Sequence, residues 1–499
     1  MTKKYLFIFI LIVLLGAWLR FYRIREYITF LGDEGRDLIV VKRMLIDHKF
    51  TLLGPITSVG SMYMGPIYYY FMAPFLWLWN YDPVGPAVMV AFFSVATLIL
   101  LYLLCAEFFI FGSIGLIATF LYAISPLPII YGHSSWNPNI VPFFSLLTIY
   151  SLLKVVVKVE KKWLSVIGLS LGVLFQLHYV SFMFIPILLG ILILLKFRMT
   201  LVNYLSLIFF FLISYSPFLV FEFRHQFVNL GGAWRFILEN NRNNIELVTR
   251  LGLAWHTITD VFVRIFWRLI VIENAEFTKL FIVLLSVLII WSWNYFKKRP
   301  KSFLTLKVIL LWLGIGILSF ALYQGSIYDY YFGSLFPAPF ILTGVAIFIL
   351  GRISNFGKYI SYLIFIILCF FNLKNSPLRI PPSNLVKNTE IIARFVYDKT
   401  EGKPYNFALI AGKNSDHAYR YFLELWGRSP ITLEIPQKDS ERKSVTDQLL
   451  VICEEKVCQP LGHPLWEIAG FGMAEITDEW TVVTAKVFRL IPLKESKES

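Results

Sequence analysis

The chain has 499 residues, of which 57% are hydrophobic and only 16% charged, with a mean hydropathy of +0.67; soluble globular chains stay at roughly 45–50% apolar. Repeated apolar runs near the ~20 residues that cross a bilayer exclude a soluble enzyme, a disordered protein and a coiled coil. The net charge of +14 does not imply a nucleic-acid partner, because the tail from Pro377 carries 16 basic and 17 acidic residues and the excess lies entirely in the first 376.

In chain order, Lys3 and Lys4 precede an apolar run from Tyr5 to Leu19. Trp18, Arg20, Phe21 and Tyr22 stand where a small-residue cleavage site would be, so this reads as an uncleaved first span with its N-terminus in the cytoplasm. Further spans are expected at about 84–105, 108–130, 139–157, 163–180, 181–196, 201–221, 278–296, 303–322, 332–350 and 357–373, about 11 in all. An odd count places the tail outside. The basic residues agree with that orientation: Lys154, Lys158, Lys161 and Lys162, then Lys196 and Arg198, then Lys297, Lys298, Arg299 and Lys301, then Arg352 and Lys358 fall in the inner loops. Only the uncharged hinge near Gly112 lacks such a mark.

The expected organisation is a membrane domain over residues 1–376, with long outer loops at 21–83 and 222–277, and a small extracytoplasmic α/β domain over 377–499. Within the second loop His256, Asp260, Arg264 and Arg268 recur every four residues, a polar stripe on a helix lying on or just inside the outer surface; a twelfth span is the alternative. In the tail, helical patterns at Asn388–Lys399 and Asp416–Trp426 alternate with strand-like Asn406–Ala411, Gln448–Cys453 and Thr481–Ile491. Cys105 and Cys369 sit in apolar runs as packing residues. Cys453 and Cys458 are either a disulfide, which an extracytoplasmic setting permits, or two free thiols.

Ionisable and polar groups collect at the outer ends of the spans. Gly32-Asp33-Glu34-Gly35-Arg36-Asp37 opens an amphipathic stretch, Leu38–Ile46, expected to press the acidic pair toward the membrane boundary, with the glycines allowing a tight turn. Charges so placed are costly unless solvated or used. Met64-Gly65-Pro66-Ile67-Tyr68-Tyr69-Tyr70 leads into an aromatic run suited to the headgroup zone. His133-Ser134-Ser135-Trp136-Asn137-Pro138-Asn139 offers uncharged hydrogen-bonding groups, as a sugar site would. Span seven exits into Glu222-Phe223-Arg224-His225, span nine into Tyr328-Asp329-Tyr330-Tyr331, and His178 ends span five. Arg224 and His225 suit a lipid phosphate. A solvated loop, an interfacial aromatic belt, a polar turn and side chains snorkelling to water are the respective bland readings.

An acidic pair just after the first span, a Pro-aromatic element before the second, many spans and a C-terminal outer domain resemble the GT-C superfamily, and within it the protein O-mannosyltransferase and lipid A aminoarabinose transferase type. The resemblance implies a polyprenyl-phosphate sugar donor and implies that Asp33, in the Asp33-Glu34 pair, is the catalytic residue. Gly65-Pro66-Ile67-Tyr68-Tyr69 is similar to the family's Pro-Leu-Tyr-Tyr element. Two departures stand out. Asn137 or Asn139 occupies a place that is often acidic, and Asp329 precedes the tyrosine, Tyr330 or Tyr331, that often follows a basic residue.

The chemistry is consistent on independent grounds. A sugar leaving on a lipid phosphate departs as a weakly basic anion, so one carboxylate that deprotonates the acceptor suffices while cations hold the phosphate. Glycoside hydrolysis usually needs two. Single displacement inverts the anomeric centre. The expectation is therefore an inverting hexosyl- or pentosyltransferase at the outer face of the cytoplasmic membrane, acting on a lipid, glycan or protein acceptor among membrane lipids. Asp33 and Glu34 are its catalytic candidates. Arg36, Arg224 and His225 are candidates for the donor phosphate, and Tyr68, Tyr69, His133, Asn137, Asn139, His178 and Tyr331 for substrate contacts. No cofactor is expected and no His/Cys cluster indicates a metal, although a divalent cation at Asp33 and Glu34 is compatible with the sequence. The alternatives are a lipid-linked glycan flippase or exporter, which would show two related halves with broken midplane helices, and an oligosaccharide polymerase or ligase, which would favour arginine-rich outer loops.

Overall fold

The computed structural model describes residues 3–57, 62–109, 111–197, 199–241, 247–323 and 325–493, so Arg198 and short pieces of both long loops lie outside the described residues. The helices run α1 (Lys3–Phe21), α2 (Ile24–Tyr27), α3 (Gly32–Ile46), α4 (Ile67–Leu78), α5 (Val84–Phe108), α6 (Gly112–Ile124), α7 (Pro126–His133), α8 (Val141–Lys158), α9 (Trp163–Leu177), α10 (Phe184–Leu194), α11 (Leu201–Arg224), α12 (Val228–Asn241), α13 (Leu247–Phe266), α14 (Ala275–Lys297), α15 (Pro300–Ser319), α16 (Pro337–Ile353) and α17 (Asn355–Lys374). The tail adds α18 (Leu385–Lys399), β1 (Asn406–Ile410), α19 (His417–Leu425), β2 (Leu449–Cys453), α20 (Trp466–Ala469), β3 (Ala474–Val482) and β4 (Ala485–Pro492). Two compact units emerge, one of Met1–Tyr22, Phe50–Phe75 and Pro86–Pro381, the other of Arg23–Lys49, Leu76–Gly85 and Pro382–Ser499. A division at residue 377 therefore differs from the compact units, which group two pieces of the first long loop with the tail.

In the membrane unit, seven described helices are long and apolar enough to cross a bilayer, or nine when each of two bent pairs counts as one. The other two expected spans fall on the shorter apolar helices Trp163–Leu177 and Tyr179–Leu194. The chain is a multi-pass membrane protein. One bend, of 58°, lies between α6 and α7, where Ser125 precedes Pro126 and is extended, with ψ 128, because proline disfavours helical backbone in the residue before it. α16 is buried along its whole length from Pro337 to Leu350 and packs on α6, α14, α15 and α17, as a helix apolar on every face must. By contrast, α11 leaves Leu201, Val202, Leu205 and Phe209 exposed, a surface suited to lipid. α9 approaches α11 through Gly168 and Gly172, where a Cβ would stand 2.3 Å from the Leu207 carbonyl and 1.9 Å from Ser214 Oγ, the small-residue contact common between membrane helices.

Arg20 ends α1 fully buried. Its Nε donates to Ser94 Oγ at 2.6 Å, Nη1 to the Gly16 and Ala123 carbonyls at 3.0 Å, and Nη2 to the Tyr122 carbonyl at 3.3 Å. These neutral acceptors tie α1 to α5 and α6. The expected polar stripe lies on α13 and the turn after it. Arg264 pairs with Asp260 at 3.6 Å and Arg268 with Asp329 at 2.7 Å, while Leu251, Leu253 and Trp255 stay exposed.

In the α/β unit the sheet order is β1-β2-β4-β3, with β1 parallel to β2 and the other pairs antiparallel. Ala408, Ile410, Val451, Phe488 and Leu490 form its core with Leu433, Ile468 and Phe471. The stretch Thr481–Ile491 is not one strand, as its composition suggests, but the end of β3, the turn and most of β4 in a hairpin. The reversal runs through Val483, at φ 53, a poor turn residue that leaves no Gly or Asn signal. Cys453 and Cys458 are joined by a disulfide. α3 lies on α19, burying Leu38, Ile39, Val41 and Met44. Lys42 and Arg43 reach Glu424 at 3.4 and 2.8 Å. The apolar face of the amphipathic stretch is thus covered by α19.

Candidate active site

The head of α3 separates its carboxylates by environment. Leu31, the residue before the helix, has no side-chain oxygen to cap it. Instead the Glu34 carboxylate reaches back and accepts from the Leu31 N–H at 3.0 Å, as a glutamate in the first turn does in a capping box. Glu34 is buried, and that desolvation pushes its carboxyl up to about 7, against the lowering effect of the Leu31 hydrogen bond. The side chain of Asp33 is 57% exposed. Between them in role stands Arg36, whose Nη1 donates to Asp33 Oδ1 at 2.8 Å while Nε and Nη2 donate to Asp37 Oδ1 at 3.0 and 2.9 Å. Asp37 is fully buried. The guanidinium therefore compensates a buried charge and holds the exposed one, leaving Asp33 as the carboxylate open to an incoming group.

The tight turn expected at the flanking glycines is absent. Neither Gly32 nor Gly35 has a positive φ, and both lie within α3. Their lack of a Cβ serves close packing instead: one built at Gly32 would stand 1.9 Å from Ser415 Oγ, and one at Gly35 2.3 Å from the Ala418 nitrogen.

In the membrane unit, several candidate positions converge. Tyr68, fully buried on α4, bonds Ser135 Oγ at 2.9 Å; Tyr69 is buried beside it in sequence. Asn137 donates to the Leu177 carbonyl and Asn139 to the Ser134 carbonyl at 2.8 Å, so both buried amides brace the loop that joins α7 to α8. Trp136 meets the Tyr330 ring edge-on at 4.5 Å, and His178 lies 5.7 Å from Tyr330 and 5.0 Å from Tyr331, ring to ring. This half-buried aromatic wall offers the flat faces and polar edges that a sugar ring uses. His133 is buried at the end of α7, one residue after Gly132, whose Cβ would meet Arg20. Arg224 and His225 stand apart from this wall in contacts: both are exposed, and the His225 ring stacks on Phe221 at 3.9 Å.

Sequence reasoning passed over Glu222, which is buried and accepts from Asn229 Nδ2 at 2.7 Å and Leu230 N at 3.1 Å. Asn229 Oδ1 in turn accepts from Tyr63 N at 2.7 Å, and the Tyr63 carbonyl from Tyr179 OH at 2.6 Å. An acidic residue inside an otherwise apolar span was the signal. The Arg268–Asp329 pair was likewise missed, although the departure at Asp329 pointed to it.

Two solved structures match the chain over almost its whole length. One is ArnT from Cupriavidus metallidurans in the apo state, with a TM-score of 0.61, 10% identity and 98% of each chain covered. The other is ArnT from the same organism bound to undecaprenyl phosphate, with a TM-score of 0.58, 11% identity and the same coverage. The chain has the fold of ArnT. No protein-family model and no curated protein sequence matches it. What the chain holds in common with ArnT is thus the arrangement of elements, and its side chains must be read on their own.

The raised carboxyl of Glu34 makes a prediction for stability. Because its folded value, about 7, lies above the ordinary 4.5, the contribution of the protonated form is fully present below pH 4.5, falls as pH rises toward 7, and is gone above it. Relative to Glu34→Gln, which keeps an acceptor for Leu31 and cannot ionise, the melting temperature of the parent protein in detergent should decline from pH 5 to pH 7.5 and then level off. Parallel curves for the two proteins across that range would show that Glu34 is not buried as a neutral acid.

Proposed function

We propose that the protein is an inverting glycosyltransferase that moves a sugar from a polyprenyl-phosphate donor to an acceptor at the outer face of the cytoplasmic membrane. The observation that carries this reading is the exposed Asp33 carboxylate, held by Arg36 at the head of α3 next to a buried Glu34, on a fold whose solved counterpart binds undecaprenyl phosphate. The likeness of Asp33-Glu34 and Gly65-Pro66-Ile67-Tyr68-Tyr69 to the aminoarabinose transferase type supports it further.

In this reading Asp33 takes a proton from the acceptor hydroxyl or amine as its oxygen or nitrogen attacks the anomeric carbon. The bond to phosphate oxygen breaks, and the lipid phosphate leaves with the electron pair. Glu34 caps the helix and does not exchange the proton. Arg36, engaged by Asp33 and Asp37, steadies the base, so the phosphate role expected of it passes to Arg224 and His225 on α11, with Arg268 as a further cation. Tyr68, Tyr69, Asn137 and Asn139 shape the polar end of the membrane unit, and His178 and Tyr331 provide the faces for the sugar. His133, buried at the end of α7, is assigned a further substrate contact. The N-terminus is assigned to the cytoplasm and the α/β unit to the outside.

Asp33→Asn should lower turnover by ~100-fold or more, the scale of a general base, with donor binding retained; Glu34→Gln should cost less. Purified protein given a panel of labelled undecaprenyl-phosphate hexoses and pentoses with membrane extract tests this and names donor and acceptor. Near-normal transfer by folded Asp33→Asn would end the base assignment. For the phosphate, Arg224→Ala should weaken donor binding by roughly 1.5–3 kcal/mol, the worth of a charged hydrogen bond, and unchanged affinity would move the role to Arg268. Reporter fusions after Leu373 and within Lys158–Lys162 should report outside and inside respectively; a cytoplasmic reporter after Leu373 would reverse the orientation.

A further inference from the structure

We infer that Asn414, in the loop between β1 and α19, is a positioning residue for Asp33, which makes the C-terminal domain a working part of the active site. The inference rests on Asp33 being the base and adds the group that fixes its place. Leu31 cannot cap α3, and Glu34 is occupied with the Leu31 N–H. The next amide, Gly32 N–H, immediately before Asp33, donates to Asn414 Oδ1 at 2.9 Å. The helix that carries the base is therefore capped from a point 382 residues away.

Asn414 is itself held on both sides. Its Oδ1 also accepts from Ser415 N at 2.9 Å, and its Nδ2 donates to the two oxygens of Glu454 at 3.3 and 3.1 Å. Glu454 accepts from Tyr419 OH at 2.7 Å, and its own N–H donates to the Ile410 carbonyl at 3.0 Å. Asn414 and Glu454 thus follow the carboxyl ends of the parallel pair β1 and β2, the edge where open α/β sheets commonly place functional groups. Glu454 also lies inside the small ring closed by Cys453 and Cys458, which restricts its movement. Two fixed strand ends, a closed ring and one amide side chain lead to the residue before Asp33. The fit has no slack, because the absent Cβ atoms of Gly32 and Gly35 are what let Ser415 and Ala418 approach. Ser415 Oγ and His417 Nδ1, 2.9 Å apart, complete the loop.

The full-length protein is assayed with a labelled undecaprenyl-phosphate sugar that supports transfer. Asn414→Ala removes the acceptor for Gly32. Turnover at saturating donor should fall ~10- to 100-fold, as small misplacements of reacting groups do, with the KM for donor unchanged. Asn414→Asp keeps the oxygen toward Gly32 but sets two carboxylates against each other. Adding Glu454→Gln replaces that repulsion with an amide-to-carboxylate hydrogen bond, so the double variant should recover most of the lost turnover. That rescue is what a general loss of stability would not give. A folded Asn414→Ala protein with normal turnover, alongside an inactive Asp33→Asn, overturns the inference and leaves the base in place. A folded double variant no faster than Asn414→Asp overturns it too, and decides the matter if Asn414→Ala does not fold. Activity in Asp33→Asn would remove the base assignment and this inference with it.

Discussion

A carboxylate that stays exposed to water cannot also be the group that stabilises its own helix by burial. The head of α3 meets this constraint by dividing the work. Glu34 is buried and caps, Asp37 is buried and compensated by Arg36, and Asp33 remains exposed with one guanidinium bond to hold it. Burial raises the energy of the ionised form of Glu34, whereas the charge on Asp33 stays in contact with water. The division exists only because the opposite face of α3 is covered, since an uncovered amphipathic helix of 15 residues would be marginal in water.

In the membrane unit the same economy of charge recurs. Arg20 is buried among carbonyls and a hydroxyl, and Glu222 among amides. Arg20 ties α1 to distant groups on α5 and α6, Glu222 ties α11 to the start of α12, and each is satisfied by several neutral partners, the arrangement that lets an ionisable group persist in an apolar bundle. The aromatic wall of Trp136, His178, Tyr330 and Tyr331 carries no such charge, which suits recognition of a neutral sugar ring.

Much of this was legible in the sequence for a simple reason: a span is a local property. Apolar length alone located the helices, and short, nearly continuous apolar runs located β1 and β2. What escaped was non-local. Leu38, Ile39, Val41 and Met44 announce a face to be buried without saying what covers it, and α19 does so. The glycines beside the acidic pair look the same whether they free a turn or admit a neighbour. Adjacent acids Asp33 and Glu34 differ only in burial, which no spacing reveals, and Asn414 is one asparagine in a soluble loop until the strands that flank it are paired. The β3–β4 hairpin was obscured because Val483 takes a conformation its residue type disfavours.

The long reach of the Asn414 cap has a consequence for how the molecule is made. Chain growth at about 5–20 residues per second separates synthesis of Gly32 from that of Asn414, 382 residues later, by roughly 20–80 seconds. During that interval α3 exists without its cap and with its apolar face uncovered, while the helices between are threaded into the bilayer. The nascent chain is then most exposed to chaperones and proteases, and a ribosome that stalls before Asn414 leaves α3 without its cap and its cover. The setting of Asp33 is therefore completed long after Asp33 itself has been translated.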